Sequence, residues 1–60
     1  MTIRVRKLHE DRGNYRVYYR EIGTRHLLCT QPNVFNELEL YVCSKDGEPS
    51  RLINDTLEVH

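Results

Sequence analysis

Ile3 and Val5 fall on one side of the opening segment and Arg4 and Arg6 on the other. A period of two is the mark of a half-buried strand, and here it predicts one over Thr2 to Leu8. Asp11-Arg12-Gly13-Asn14 then supplies turn chemistry, since Gly and Asn tolerate positive φ at little cost. The alternation resumes from about Tyr15 to Glu21, with Tyr15, Val17 and Tyr19 on one face and Arg16, Tyr18 and Arg20 on the other. Pairing the two segments as a hairpin sends Ile3, Val5, Tyr15, Val17 and Tyr19 to the core side. Ile22-Gly23-Thr24 makes a tight break. Arg25 to Thr30 reads as a third strand, with either Leu27 and Cys29 or His26 and Leu28 facing inward.

Gln31-Pro32-Asn33 interrupts the ladder, because proline donates no hydrogen bond and restricts the residue before it. The next segment fits two patterns. Val34, Phe35, Leu38 and Val42 sit near helical spacing behind Asn33, a residue suited to an N-cap. Glu37 to Cys43 also alternates as a strand, and the Asp46-Gly47 that follows is a strong hairpin signal. Strand is favoured. Arg51 to Ile53 would be the returning strand, Asn54-Asp55 a further turn, and Thr56 to Val59 a short edge strand. The expected architecture is a mostly β, single small domain over residues 1–60. It is an antiparallel sheet of four to five strands, with one short helix near residues 32–40 (α+β) as the fallback.

At 60 residues, 38% of them hydrophobic, such a domain is marginal, because only roughly 60% of its unfolded surface can be buried. Small domains make up the difference with disulfides, a metal, oligomerisation or very regular packing, so a homo-oligomer is among the expectations. Two cysteines, Cys29 and Cys43, are too few for a disulfide scaffold. Thr2 to Lys7 carries too much charge for the apolar region of a secretory signal. No apolar run approaches the roughly 20 residues that span a bilayer. The reading is a cytoplasmic chain with no membrane partner and both thiols free, with a Cys29–Cys43 bridge as the alternative. Chain length alone also suggests a phage or mobile-element product acting on host machinery.

The formal net charge is zero, but it is unevenly spread. Residues 1–26 hold seven basic and three acidic side chains, a net of +4, and residues 27–60 hold two basic and six acidic, a net of −4. The predicted hairpin gathers Arg4, Arg6, Arg16, Tyr18 and Arg20 on one face. Arginine and tyrosine are the residue types enriched at protein hot spots, which suits an acidic protein surface. The same atoms suit nucleic acid, where Arg neutralises phosphates and Tyr stacks on bases. The pI near 6.8 weighs against that second partner, whose usual footprint is a strongly basic domain. A third reading leaves the face solvated, with Glu37 and Glu39 pairing the arginines from a neighbouring strand. The leading expectation is a non-enzymatic protein that binds and modulates another protein, with a nucleic-acid-binding module as the alternative.

Catalytic and cofactor chemistry finds little purchase. His26, Cys29, Cys43 and His60 are potential zinc ligands, but only two are closely spaced, and a strand would point those two to opposite faces. Cys29 or Cys43 with His9 or His26 could form a nucleophile and base only if they converged. Glu37 and Glu39 could share a face as acid and base, yet solvated exposure is favoured. A chain this short is expected to have little room for a pocket of about 300 Å³. No catalytic residue, cofactor or metal is therefore assigned. Val34 and Phe35 remain, read either as a core plug beneath the Pro32 loop or as an exposed hydrophobic anchor for a partner or a second copy.

Overall fold

Six strands emerge in the computed structural model, which describes residues 1–60. They are β1 (Thr2–Asp11), β2 (Arg16–Glu21), β3 (Leu27–Pro32), β4 (Leu38–Cys43), β5 (Pro49–Ile53) and β6 (Thr56–Val59), with one 3-10 turn, Arg12–Asn14, between the first two. All six join one sheet in the order β5-β4-β3-β2-β1-β6. The first five form an antiparallel meander.

The mostly β expectation holds, and the difference lies in the last strand. Thr56–Val59 forms a sixth strand, parallel to β1, with Thr2 opposite Thr56 and Val5 opposite Val59. A two-residue hairpin at Asn54-Asp55 would need positive φ in its turn, and neither residue has it. The chain instead crosses to the far edge of the sheet. There Thr56 N–H donates to the Met1 carbonyl at 2.9 Å, and the terminal ammonium lies 3.5 Å from Asp55 Oδ1.

This crossing curls the sheet. β5 and β6 occupy opposite ends of the strand order, yet three Cα steps join them, a reach of roughly 11 Å at most. The concave side collects the core, in which Val5, Leu28 and Leu40 are buried and Ile3, Tyr19, Val42, Ile53 and Leu57 pack around them. Leu28 is the inward residue of the third strand, as one of the two alternatives required. Two clefts of about 310 and 430 Å³ open beside this core.

The other face of the sheet also buries side chains, which corrects the assignment of the tyrosines. Tyr18 and Cys29, opposite one another in the β2–β3 register, are both buried. Tyr15 belongs to no strand. It closes the 3-10 turn in the left-handed region at φ 57° and ψ 36°, where an L-residue with a side chain is disfavoured by about 1–2 kcal/mol.

Residues 33–37 form a turn rather than the fallback helix. Asn33 does supply capping chemistry: its Oδ1 accepts from Phe35 N–H at 2.9 Å and Glu37 N–H at 3.0 Å. Asn33 N–H also donates to the Glu37 carbonyl at 2.8 Å. The turn closes through Asn36 at φ 62°. Val34 and Phe35 ride on its outside, both exposed, so the core-plug reading does not hold.

Candidate interaction surface

Register decides which arginines meet. Arg6 and Arg20 are direct cross-strand partners in β1 and β2, and Arg4, two residues before Arg6, shares their face. All three are exposed. None of them is among the ion pairs of the molecule. Arg20 Nη1 donates to the Arg25 carbonyl at 3.1 Å. Glu58 lies beside Arg4 in the parallel β1–β6 register, but its Oε2 is in contact with His60 Nε2 at 2.6 Å.

Arg16 and Tyr18 occupy the same face and are committed elsewhere. A bulge between Lys7 and His9 shifts the register so that His9 falls opposite Tyr18. The two rings stack with centroids 4.7 Å apart and planes 18° from parallel. The Tyr18 hydroxyl donates to the Gly47 carbonyl at 2.8 Å and accepts from Arg16 Nη1 at 3.3 Å. Arg16 Nε donates to Gln31 Oε1 at 2.9 Å, and its Nη1 lies 3.2 Å from Glu48 Oε2. The bond to the Tyr18 hydroxyl, with Glu48 beside it, raises the Arg16 pKa further. The turn between β4 and β5 thus folds over the outer face and closes a small polar network.

Glu37 and Glu39 do not pair with these arginines. β3 lies between β2 and β4, and Glu37 sits in the turn before β4. Glu39 accepts from the Tyr41 hydroxyl at 3.0 Å, a bond that raises the Tyr41 pKa. The two carboxylates therefore make no acid–base pair on a common strand.

Of the zinc and nucleophile candidates, only Cys29 and Cys43 meet. No group of three or more His, Cys, Asp or Glu side chains comes together. His9 stacks on Tyr18, and His26 Nδ1 is 3.5 Å from Glu21 Oε1. Both cysteines are free, Cys29 buried and Cys43 half-buried. Burial, and then the hydrogen bond to Cys29, push the Cys43 thiol up to about 12 from an ordinary value near 9. Because the folded value is raised, the stability it contributes is complete below about pH 9 and lost as pH rises towards 12. Native Cys43 is expected to resist iodoacetamide at pH 8 and to react at once in urea. Alkylation of the native thiol at the rate of a free cysteine would refute this environment.

The end of the sheet next to the 3-10 turn is apolar. Tyr15, Val34, Phe35 and Leu38 are 76, 93, 79 and 72% exposed. Tyr15 and Leu38 line an open groove of about 540 Å³ with Pro32, Val17 and Asn36, rimmed by Glu10, Asp11 and Arg12. Such a volume corrects the expectation that the chain is too short for a pocket of about 300 Å³. Hydrogen bonding and charge from Lys7 lower the Glu10 pKa, and a hydrogen bond from Asn14 lowers that of Asp11. Of the patch, the sequence pattern singled out only Val34 and Phe35. Tyr15 was legible only through its place after Gly13-Asn14, where a turn needs a left-handed residue. No helix of the chain is long and apolar enough to cross a membrane. Comparison of the chain with protein families, curated proteins and solved structures finds no match.

Proposed function

We propose that this chain is a small non-enzymatic regulator that binds an acidic surface of another protein through Arg4, Arg6 and Arg20. The observation that carries the reading is the Arg6–Arg20 pair, two like charges directly opposite each other with no acidic partner. Like charges in that position destabilise a sheet, so the fold bears a cost that an anionic partner would offset. Guanidinium forks match carboxylates bidentately, which gives such a contact direction as well as strength.

A protein partner is favoured over nucleic acid for two reasons. Tyr18, at 7% exposure, offers no platform for base stacking. The pI near 6.8 also lacks the strongly basic footprint usual for a nucleic-acid-binding domain. Arg16 plays no direct part in this contact. It is held instead by Gln31 and Glu48.

The test is capture by the immobilised chain from lysate of its source cells, with and without nuclease, alongside Arg6→Glu. The expected result is a discrete protein that survives nuclease and is lost with Arg6→Glu. The variant itself should be as stable as the parent, or about 0.2–1 kcal/mol more so, because the repulsive pair becomes attractive. Capture that vanishes with nuclease would replace the protein partner by nucleic acid. Capture unaffected by Arg6→Glu would remove this face from consideration.

A further inference from the structure

Beyond the basic face, we infer that the apolar end of the sheet is the interface of a twofold homodimer of this chain. Tyr15, Val34, Phe35 and Leu38 together leave on the order of 600 Å² accessible, at the upper limit of the largest patch on an ordinary monomer. Two copies joined there would bury at most about 1,200 Å² from these four residues, the lower bound of a specific, stable interface.

Shape favours a second copy as the occupant. A twofold interface must be complementary to itself, so a projection and a recess have to lie side by side on one molecule. Here Phe35 projects from the 33–37 turn, and the open groove of about 540 Å³ begins at its neighbours Asn36 and Leu38. Phe35 of each copy enters the groove of the other, against Tyr15, Leu38 and Pro32. The rim carries both signs of charge, Glu10 and Asp11 beside Arg12 and Arg16, so it presents no single-sign field to a second copy.

The backbone holds the patch ready. Tyr15 and Asn36 are two of the three non-glycine residues with positive φ, one in each turn that presents an apolar side chain. Asn33 fixes the second turn through both its Oδ1 and its own N–H. Little backbone freedom is left to lose on association, and the remaining cost is that of the exposed side chains. Self-association also answers the thin core, since five of 60 residues are buried and both cysteines are free. Of the supports open to a small domain, oligomerisation is the one for which this surface is shaped.

Sedimentation equilibrium of the intact chain over a concentration series tests the inference, with Phe35→Ser, Tyr15→Asn and Arg6→Glu in parallel. The wild type and Arg6→Glu should dimerise alike. Phe35→Ser should weaken the dimer by at least about 30-fold, the loss expected at an interface hot spot. Tyr15→Asn should weaken it as well while remaining folded, because asparagine tolerates the left-handed region. A wild type that stays monomeric up to about 1 mM overturns the inference. So does a dimer that survives Phe35→Ser and Tyr15→Asn, both read on variants whose circular dichroism matches the parent. Because the Arg6→Glu variant dimerises normally, failure here and failure of the partner-binding reading are separate results.

Discussion

Leu28→Ala is expected to remove a large share of the chain's stability at 25 °C. Leu28 is among the three most completely buried side chains, with Val5 and Cys29, and it sits at the centre of the concave core with Val5 and Leu40. Truncating a buried leucine costs about 2–5 kcal/mol, the transfer term plus the cavity left behind. A domain of this size has a total stability of roughly 3–9 kcal/mol. The thin core also limits how far neighbours can close the gap, because clefts already flank it on two sides. Urea titration at one fixed protein concentration measures the loss, with Leu52→Ala as the control. Leu52 is more than half exposed, and its truncation should change stability by less than about 0.5 kcal/mol. A Leu28→Ala variant within about 1 kcal/mol of the parent would refute the placement of the core.

Tyr18→Phe is the second large effect. The ring and its stacking on His9 survive this change, so the loss isolates the hydroxyl. That hydroxyl bonds the Gly47 carbonyl and accepts from Arg16, and its removal leaves both without that partner in a partly buried site. The expected cost is about 1–3 kcal/mol. The effect should also be local: amide exchange should accelerate in residues 44–48, which the bond ties to the outer face, while β1 and β6 stay protected until global unfolding. Uniform acceleration through the sheet would mean that the hydroxyl does not hold the turn. Glu48→Gln should move the same amides less, since it keeps a hydrogen-bond acceptor for Arg16 near the same position.

Where side-chain period and turn chemistry act locally, the sequence was readable. The strands at Thr2, Arg16, Leu27 and Leu38 and the hairpin at Asp46-Gly47 follow from alternation and glycine placement alone. Asn33 was read as a cap from its own chemistry, although what it closes is a turn. The differences arise where the backbone departs from the simple alternation or where distant segments meet. The bulge between Lys7 and His9 changes the residues that face one another, and nothing in Lys7-Leu8-His9 announces it. Tyr15 continues the alternation of Val17 and Tyr19 on paper, but its left-handed backbone takes it out of the strand. The alternation places Tyr18 with the arginines, because a half-buried sheet has one wet face. In this molecule the β4–β5 turn folds over that face, helped by an irregularity between Val42 and Cys43 of the kind that bends a strand. The partner of β6 was not legible, since it depends on the curl of the whole sheet.

For the candidate face, the sequence pattern groups Arg4, Arg6, Arg16, Tyr18 and Arg20, and the structure divides them by accessibility. Arg4, Arg6 and Arg20 remain accessible, whereas Arg16 and Tyr18 are structural. Which arginines were free depended on the location of Glu48 and Gln31, and both are contacts between residues 15 or more apart in the chain.

The parallel pairing of β1 with β6 has a mechanical consequence. Because the two strands run in the same direction, tension applied between residues 1 and 60 drags β1 and β6 past each other along their length. The ladder is loaded in shear, and the flanking bonds from Thr56 N–H to the Met1 carbonyl and from His60 N–H to the Val5 carbonyl share the load with it. An antiparallel hairpin pulled from its open end would yield one rung at a time. Here the rungs must fail together, so tension between residues 1 and 60 meets a resistance that the thin core alone would not supply.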